Sequence, residues 1–155
     1  MTKGFGKSVV PEEDPTEEKE VYEADYEKYL QFVEETTSEE SSEFDVFMSR
    51  LTELKSDDLE IQRLLTGAVG LSAEAGEFTE IVKKIIFQGK PWNEDNRDHL
   101  ITELGDVMWY VAQVCIALNI SIDEVVLKNV SKLLKRYPEG LFDVHKSENR
   151  EPTDR

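Results

Sequence analysis

Residues 59–87 read LEIQRLLTGAVGLSAEAGEFTEIVKKIIF, and this stretch decides the fold. Apolar residues recur in it at steps of three and four, which is the spacing of one face of an α-helix. Gly89 and Pro91 follow, and these residue types are typical of a helix end. The stretch therefore predicts a long amphipathic helix, with an apolar stripe of Ile61, Leu64, Leu65, Ala68, Leu71, Ala75, Phe78, Val82 and Ile85.

The same spacing predicts four more helices, over residues 21–36, 44–55, 96–118 and 121–137. Ser121 and Glu124 have the spacing of a capping box at the start of the last helix, and Pro138 ends it. No alternation typical of a β-strand extends over a useful length. We therefore expect an all-α bundle of about five helices.

Length and composition suggest one folded domain with polar ends. The chain has 155 residues, which is a usual length for a single domain. We expect an acidic, disordered or loosely attached tail over 1–20, the domain over 21–138, and a polar extension over 139–155. Cys115 is the sole cysteine of the sequence, so an intrachain disulfide is excluded and a His/Cys zinc site is set aside. No signal peptide and no run long enough to cross a bilayer are found, which favours the cytoplasm.

The net charge of −16 narrows the range of partners. Such a chain repels nucleic-acid phosphate and anionic lipid at long range, so we expect neither as a partner. Most of these carboxylates have an ordinary explanation in solubility. Clustered carboxylates, however, can also hold a hard divalent cation, which then attracts a phosphorylated small molecule.

Two short acidic patterns suggest such a cluster. EAGE places Glu74 and Glu77 in the long helix, and ELGD places Glu103 and Asp106 in the next one. At about 100° per residue, both pairs lie at the same edge of the apolar stripe. If the two helices pack antiparallel, the four carboxylates can converge beside the core. Either pair alone would more simply be a solvated helix edge, but the repetition favours a site.

Chemistry then suggests a ligand for the four acidic groups. Like charges brought together require protonation or a cation, and carboxylate oxygens suit Mg²⁺ or Mn²⁺. Bundles that bind two irons use Glu-x-x-His, which is absent at these positions. A cation on this site calls for an anionic substrate, and several side chains are candidates for its phosphates. These are Asn129, Lys132 and Arg136 on one side of the last helix, and Lys83. The alternative for Lys83 is a surface side chain that simply faces water.

Three stretches, residues 70–84, 99–112 and 129–140, resemble the MazG-like nucleoside triphosphate pyrophosphohydrolases, particularly phage-encoded single-domain members. The family signature, E-x-x-E on one helix and E-x-x-D on the next, is matched by Glu74, Glu77, Glu103 and Asp106. The resemblance implies Mg²⁺-dependent cleavage between the α- and β-phosphates of a nucleoside triphosphate, which yields a monophosphate and pyrophosphate. It also implies a homodimer or homotetramer, and the host cytoplasm if the protein is phage-encoded.

The resemblance also suggests roles for the remaining candidates. Glu80 would orient or deprotonate the attacking water, or would simply be a surface residue. Lys132 and Arg136 would stabilise the leaving pyrophosphate, Asn129 would position phosphate or sugar, and Trp92 would stack on the base. Two alternatives remain open: hydrolysis of an alarmone or another pyrophosphate by the same fold, and a non-catalytic helical module.

Overall fold

The structure, a computed structural model, describes residues 6–9, 21–55 and 59–149. The chain divides into two units, residues 1–52 and residues 53–155. The domain limits expected from the sequence stay a prediction.

The first unit contains a β-ribbon that the sequence pattern did not predict. Strand β1 (Gly6–Val9) pairs antiparallel with β2 (Val21–Ala24), so that Val9 lies opposite Val21. The prediction of a helix from residue 21 is therefore wrong at its start, because these residues gain hydrogen bonds from a strand distant in sequence. Strand β1 lies within the expected tail, and the rest of residues 1–20 lies outside the described residues.

Three helices follow β2. Helix α1 (Tyr26–Thr36) begins after Asp25, whose side chain accepts a hydrogen bond from the backbone N–H of Lys28 at 3.1 Å. An aspartate at this position satisfies a backbone donor that the helix itself leaves unpaired. The short helix α2 (Glu39–Ser42) lies in the predicted break, and α3 (Phe44–Glu53) confirms the second predicted helix.

The second unit begins with the two long helices that carry the acidic pairs. Helix α4 (Ile61–Phe87) ends before Gly89, which has φ +70° and so takes the left-handed conformation that favours glycine. Helix α5 (Glu94–Ala117) begins two residues earlier than predicted. Its cap is Asn93, whose side chain accepts from the N–H of Asn96 at 2.9 Å.

Two further helices complete the described chain. Helix α6 (Ile122–Arg136) begins at the predicted cap, where the N–H of Glu124 donates to the Ser121 hydroxyl at 3.1 Å. Helix α7 (Val144–Glu148) lies in the segment predicted to be extended. It forms because Asp143 caps its first turn by accepting from the N–H of Lys146 at 2.9 Å.

Helices α4 and α5 form an antiparallel hairpin that contains the packed core of the second unit. The N–H of Glu60, just before α4, donates to the carbonyl of Ala117 at the end of α5, at 3.0 Å. The start of one helix therefore meets the end of the other. The buried apolar residues in the described chain are Ile81, Cys115 and Ala117. Burial of Cys115 agrees with its apolar sequence neighbours.

Two glycines of α4 bring the helices close together. A Cβ atom added to Gly70 would overlap the ring of Tyr110, and one added to Gly67 would lie 2.5 Å from Val114 Cγ2. Both glycines are buried. The absence of their side chains therefore lets α5 side chains pack directly against the backbone of α4.

Seven helices and one short ribbon make up the described secondary structure, so the predicted all-α fold is confirmed. By length and composition alone, α5 could cross a membrane, which corrects the expectation that no run is long enough. The core helix of a soluble protein meets the same criterion, and α5 packs along α4. The length and composition of α5 are therefore weak evidence for a membrane span.

Candidate metal centre

Three of the four predicted carboxylates meet across the hairpin. One oxygen each of Glu74 on α4 and of Glu103 and Asp106 on α5 lie within 4.8 Å of one another. Glu103 is buried with 6% of its surface exposed, Glu74 is half-buried, and Asp106 is exposed. The arrangement presents three oxygen ligands at the edge of the packed seam.

The surroundings of Glu74 disfavour its charged form. Loss of hydration raises the pKa of Glu74 above its ordinary value of 4.5. The negative charges of Glu77, Asp106 and Glu103 raise this pKa further. A divalent cation would relieve this repulsion, and a set of carboxylate oxygens fits Mg²⁺ or Mn²⁺.

Glu77, the fourth predicted ligand, is exposed and is not one of the three converging groups. Its charge nevertheless contributes to the raised pKa of Glu74. Glu77 therefore lies close enough to act on the cluster electrostatically.

Glu80 has a different environment from the cluster. Its carboxylate forms an ion pair with Lys83 and a second one, at 3.3 Å, with Lys84. Side-chain hydrogen bonds from Lys83 and then from Lys84 lower the pKa of Glu80. A lowered pKa weakens a carboxylate as a general base, so this pairing does not favour that role. The amine of Lys83 is engaged by the same contact.

Two of the predicted phosphate ligands of α6 line a groove. Asn129 and Lys132 line a groove of about 470 Å³, together with Leu118, Ile120, Glu124, Val125 and Lys128. The guanidinium of Arg136 lies 5.9 Å from the centre of the Tyr137 ring. None of the converging carboxylates lines this groove.

Trp92 lies in the connection between α4 and α5 and is 67% exposed. Asn96, which is buried, holds this connection by donating its side-chain N–H to the carbonyl of Pro91 at 2.6 Å. The connection therefore presents the indole to its surroundings without using it in the core.

Sequence reasoning missed one side chain of the cluster, His99. Its Nε2 lies 3.0 Å from Oε1 of Glu103, one helical turn further along α5. A histidine beside a metal-binding carboxylate can fix the orientation of that carboxylate. The i, i+4 spacing of the two residues on a predicted helix was the available signal.

Comparison with known proteins gives a consistent result. Residues 62–141 match the MazG nucleotide pyrophosphohydrolase domain. The chain is also 42% identical, over 83 residues, to the Gene 37 protein of Mycobacterium phage L5, an alignment that covers 53% of this chain and 73% of the phage protein. No solved structure matches the chain. The matched region contains both acidic pairs and α6, and the chain belongs to the family of the MazG nucleotide pyrophosphohydrolase domain.

Proposed function

We propose that this protein is a Mg²⁺-dependent nucleoside triphosphate pyrophosphohydrolase, which cleaves the bond between the α- and β-phosphates of NTPs or dNTPs. The observation that carries the proposal is the convergence of Glu74, Glu103 and Asp106 within 4.8 Å. In the reaction, a water oxygen bonds to one phosphorus, the bridging P–O bond breaks, and the water's protons pass to basic groups or solvent. The products are a nucleoside monophosphate and pyrophosphate.

Glu74, Glu103 and Asp106 would hold the cation, with Glu77 as the fourth carboxylate and Mn²⁺ as a possible substitute for Mg²⁺. When bound, the metal neutralises phosphate charge and lowers the pKa of a water molecule. The carboxylates also fix the position of the phosphates relative to the hairpin, because two of them come from one helix and the others from its neighbour. Positioning of this kind is a large part of phosphoryl-transfer catalysis.

The phosphate-binding side chains would come from a second copy of the chain. Asn129 and Lys132 lie in a groove without the carboxylates, and apolar residues on the same helix are exposed. Val126, Leu127 and Leu134 have 53%, 67% and 57% of their surface exposed. A homodimer or homotetramer assembled through α6 would bring Asn129, Lys132 and Arg136 to a neighbour's carboxylates.

The remaining assignments complete the proposal. Lys83 would neutralise phosphate on exchange of its pairing with Glu80, and Glu80 would orient the water. The net charge of −16 disfavours nucleic acid and anionic membranes as partners. The match to the nucleotide pyrophosphohydrolase domain supports a role in nucleotide metabolism, and the similar phage protein supports a host cytoplasm as the location.

The test is a panel of NTPs and dNTPs incubated with the protein, with and without Mg²⁺, followed by chromatography of the products. We expect equal amounts of monophosphate and pyrophosphate that depend on the metal. The panel also includes an alarmone, and calorimetric titration with Mg²⁺ is run beside it. Release of inorganic phosphate alone would contradict the proposed cleavage site, and cleavage of the alarmone alone would favour a different pyrophosphate hydrolase. No metal binding would favour a non-catalytic module.

Matched variants localise the activity. Asp106→Asn should abolish metal-dependent hydrolysis, whereas Asp98→Asn, on the same helix and outside the cluster, should retain it. Glu103→Gln and Glu94→Gln form a second pair of the same design. Full activity in Asp106→Asn or Glu103→Gln would contradict the proposal.

A further inference from the structure

A second cavity lies on the same hairpin as the carboxylates, toward the start of α4 and the end of α5. It has a volume of about 260 Å³ and is lined by Glu60, Gln62, Arg63, Thr66, Trp109 and Gln113. By the helical repeat, Gln113 lies on the same face of α5 as Asp106, two turns and about 10 Å further along. Trp109 lies one turn beyond Asp106, so the cavity begins beside the carboxylate cluster.

The polar groups of this cavity are held in fixed positions. The Nε–H of Arg63 donates to Glu60 Oε2 at 3.0 Å, and its Nη1 donates to Gln113 Oε1 at 2.7 Å. The backbone of Glu60 is itself tied to Ala117. These bonds join the two helices and orient the Gln113 amide, so the cavity is organised before any ligand arrives.

The bonds also determine which hydrogen-bonding groups remain for a ligand. Arginine only donates, so the atom of Gln113 that faces Arg63 must be the oxygen, and the amide nitrogen points elsewhere. Its N–H groups are donors, and Glu60 provides carboxylate lone pairs beyond the one that Arg63 uses. The lining of the cavity therefore contains a side chain that can donate, Gln113, and one that can accept, Glu60, joined through Arg63.

Trp109 provides an aromatic surface at the same place. Its ring meets Tyr110 edge-to-face, with 4.8 Å between the ring centres and an interplanar angle of 88°. The Trp109 side chain is 53% exposed. The Tyr110 ring, which packs over Gly70, thus supports an indole whose remaining surface can stack on a planar ligand.

We propose that this cavity, rather than the surface of Trp92, binds the nucleobase of the substrate. It would select bases that carry a carbonyl beside a ring N–H, namely guanine, uracil and thymine. The proposal rests on the function proposed above. The base carbonyl accepts from the Gln113 amide, the ring N–H donates to Glu60, and Trp109 stacks on the ring. Adenine and cytosine present an amino group and an unprotonated nitrogen at these positions, so they place donor against donor and acceptor against acceptor.

The test uses substrates that differ at this edge. ITP and ATP differ in a carbonyl or an amino group on the purine, and UTP and CTP form the corresponding pyrimidine pair. We expect kcat/KM to favour ITP over ATP and UTP over CTP by about 10-fold or more. Equal kcat/KM values within both pairs would overturn the proposal.

Gln113→Glu distinguishes recognition from a structural role. The new carboxylate still accepts from Arg63 but no longer donates to the base, so the preference should fall or reverse toward ATP and CTP. Gln113 acting only as a link between helices would leave the ratios unchanged, which would overturn the proposal. Thermal unfolding of this variant, compared with the parent, confirms that its fold is retained.

Trp109 is tested with fluorescence in a Trp92→Phe background, where it is the remaining tryptophan. The metal in this experiment is Mg²⁺, which does not quench fluorescence. A non-hydrolysable GTP analogue should quench the emission of Trp109, whereas inorganic tripolyphosphate should not. Trp109→Leu should weaken binding of the analogue about 10-fold and leave that of tripolyphosphate unchanged. Equal effects on the two ligands would contradict the base site.

The two proposals can fail separately. Hydrolysis without a preference for keto bases would contradict the proposed base site but not the proposed reaction. Binding that prefers keto bases, in a protein that hydrolyses no nucleotide, would contradict the proposed reaction but not the base site.

Discussion

At the scale of single residues, the carboxylates proposed to bind the metal lower the stability of the metal-free protein. Glu74 is half-buried beside three other carboxylates, and both its surroundings and its neighbours raise its pKa from 4.5. A carboxyl group with a raised pKa in the folded state contributes stability below pH 4.5, and this contribution is lost as the pH rises through the folded-state pKa. At neutral pH the metal-free protein therefore carries an unfavourable charge at this position.

We expect Glu74→Gln to raise the melting temperature of the metal-free protein at pH 7, because the amide removes that charge. The gain should shrink as the pH falls through the raised pKa of Glu74 toward 4.5 and should be lost below 4.5, where the parent's carboxyl group is protonated in both the folded and the unfolded state. Thermal unfolding in a chelator, followed by circular dichroism across this pH range, measures the difference. Added Mg²⁺ should then stabilise the parent more than the variant.

The sign of this effect makes it a direct test. A variant less stable than the metal-free parent at pH 7 would mean that the Glu74 carboxylate has a favourable partner in the fold. Glu94→Gln, at an exposed position with a 3.9 Å ion pair to Arg97, is the control for loss of a carboxylate outside the cluster.

His99 permits a separate prediction about the orientation of Glu103. We expect His99→Ala to weaken Mn²⁺ binding by roughly 10-fold, because the buried carboxylate loses the partner 3.0 Å away. His99→Gln keeps a donor on a side chain of similar reach and should restore much of the affinity. Calorimetric titration measures both, and equal affinity in the alanine variant and the parent would exclude a positioning role.

At the scale of helices, the four glycines within α4 and α5 fall into two groups. Gly70 and Gly67 lie against α5, whereas a Cβ atom on Gly76 or Gly105 would meet nothing within 4 Å. We expect Gly70→Ala to lower the free energy of unfolding by about 1–3 kcal/mol, because the methyl group overlaps Tyr110. Gly76→Ala should raise it by about 1 kcal/mol, since alanine favours the helix and has room.

Urea unfolding of the two variants gives this comparison. A gain in stability for Gly70→Ala would mean that Tyr110 can move away at little cost. Gly76→Ala also addresses the role of the acidic motifs' glycines: weaker nucleotide binding in a more stable protein would show that the open space beside Gly76 is used by the ligand.

Helix periodicity predicted the long elements well because their signals are local. Ser121 caps α6, and Gly89 follows α4, as the sequence indicated. The start of α1 was wrong because Val21–Ala24 pairs with Gly6–Val9, a partner that no local pattern identifies. Helix α7 was missed because a five-residue helix has too few turns to show a period.

For the site as well, the features set by local sequence could be predicted, and those set by packing between distant segments could not. Helical angles predicted that four carboxylates converge, because their geometry needs only two helices and a short connection. Glu74, Glu103 and Asp106 do converge, whereas Glu77 is not one of the converging groups. The spacing between those helices depends on Gly67 and Gly70, whose role required knowledge of the opposing side chains. The position of α6 depends on packing between distant segments, so its groove could not be placed from sequence.

At the scale of the whole molecule, apolar surface and charge are unevenly distributed. The chain has a net charge of −16, yet large apolar side chains of α6 are exposed. Apolar surface of this kind favours association with another protein surface. The acidic charge opposes association between copies, so a dimer must bury enough apolar area to overcome this repulsion.

We expect Leu127→Gln to shift the protein toward the monomer, because Leu127 is 67% exposed on the apolar side of α6. Lys135→Gln, on the same helix, exchanges one exposed polar side chain for another and should leave the assembly intact. Analytical ultracentrifugation over a range of protein concentrations and salt measures the equilibrium. Higher salt should strengthen assembly of the parent, since it screens the repulsion between acidic chains.

The activity of the monomeric variant and of mixed assemblies tests the same interface. If Asn129 and Lys132 serve a neighbour's carboxylates, then the Leu127→Gln monomer should still bind Mn²⁺ but hydrolyse nucleotide slowly. Mixing an Asp106→Asn chain with a Lys132→Ala chain should then restore part of the activity, because some sites in the mixed assembly combine an intact cluster with an intact α6. A fully active monomer, or no recovery in a mixed assembly shown to form, would mean that the groove on α6 does not serve a neighbour's cluster.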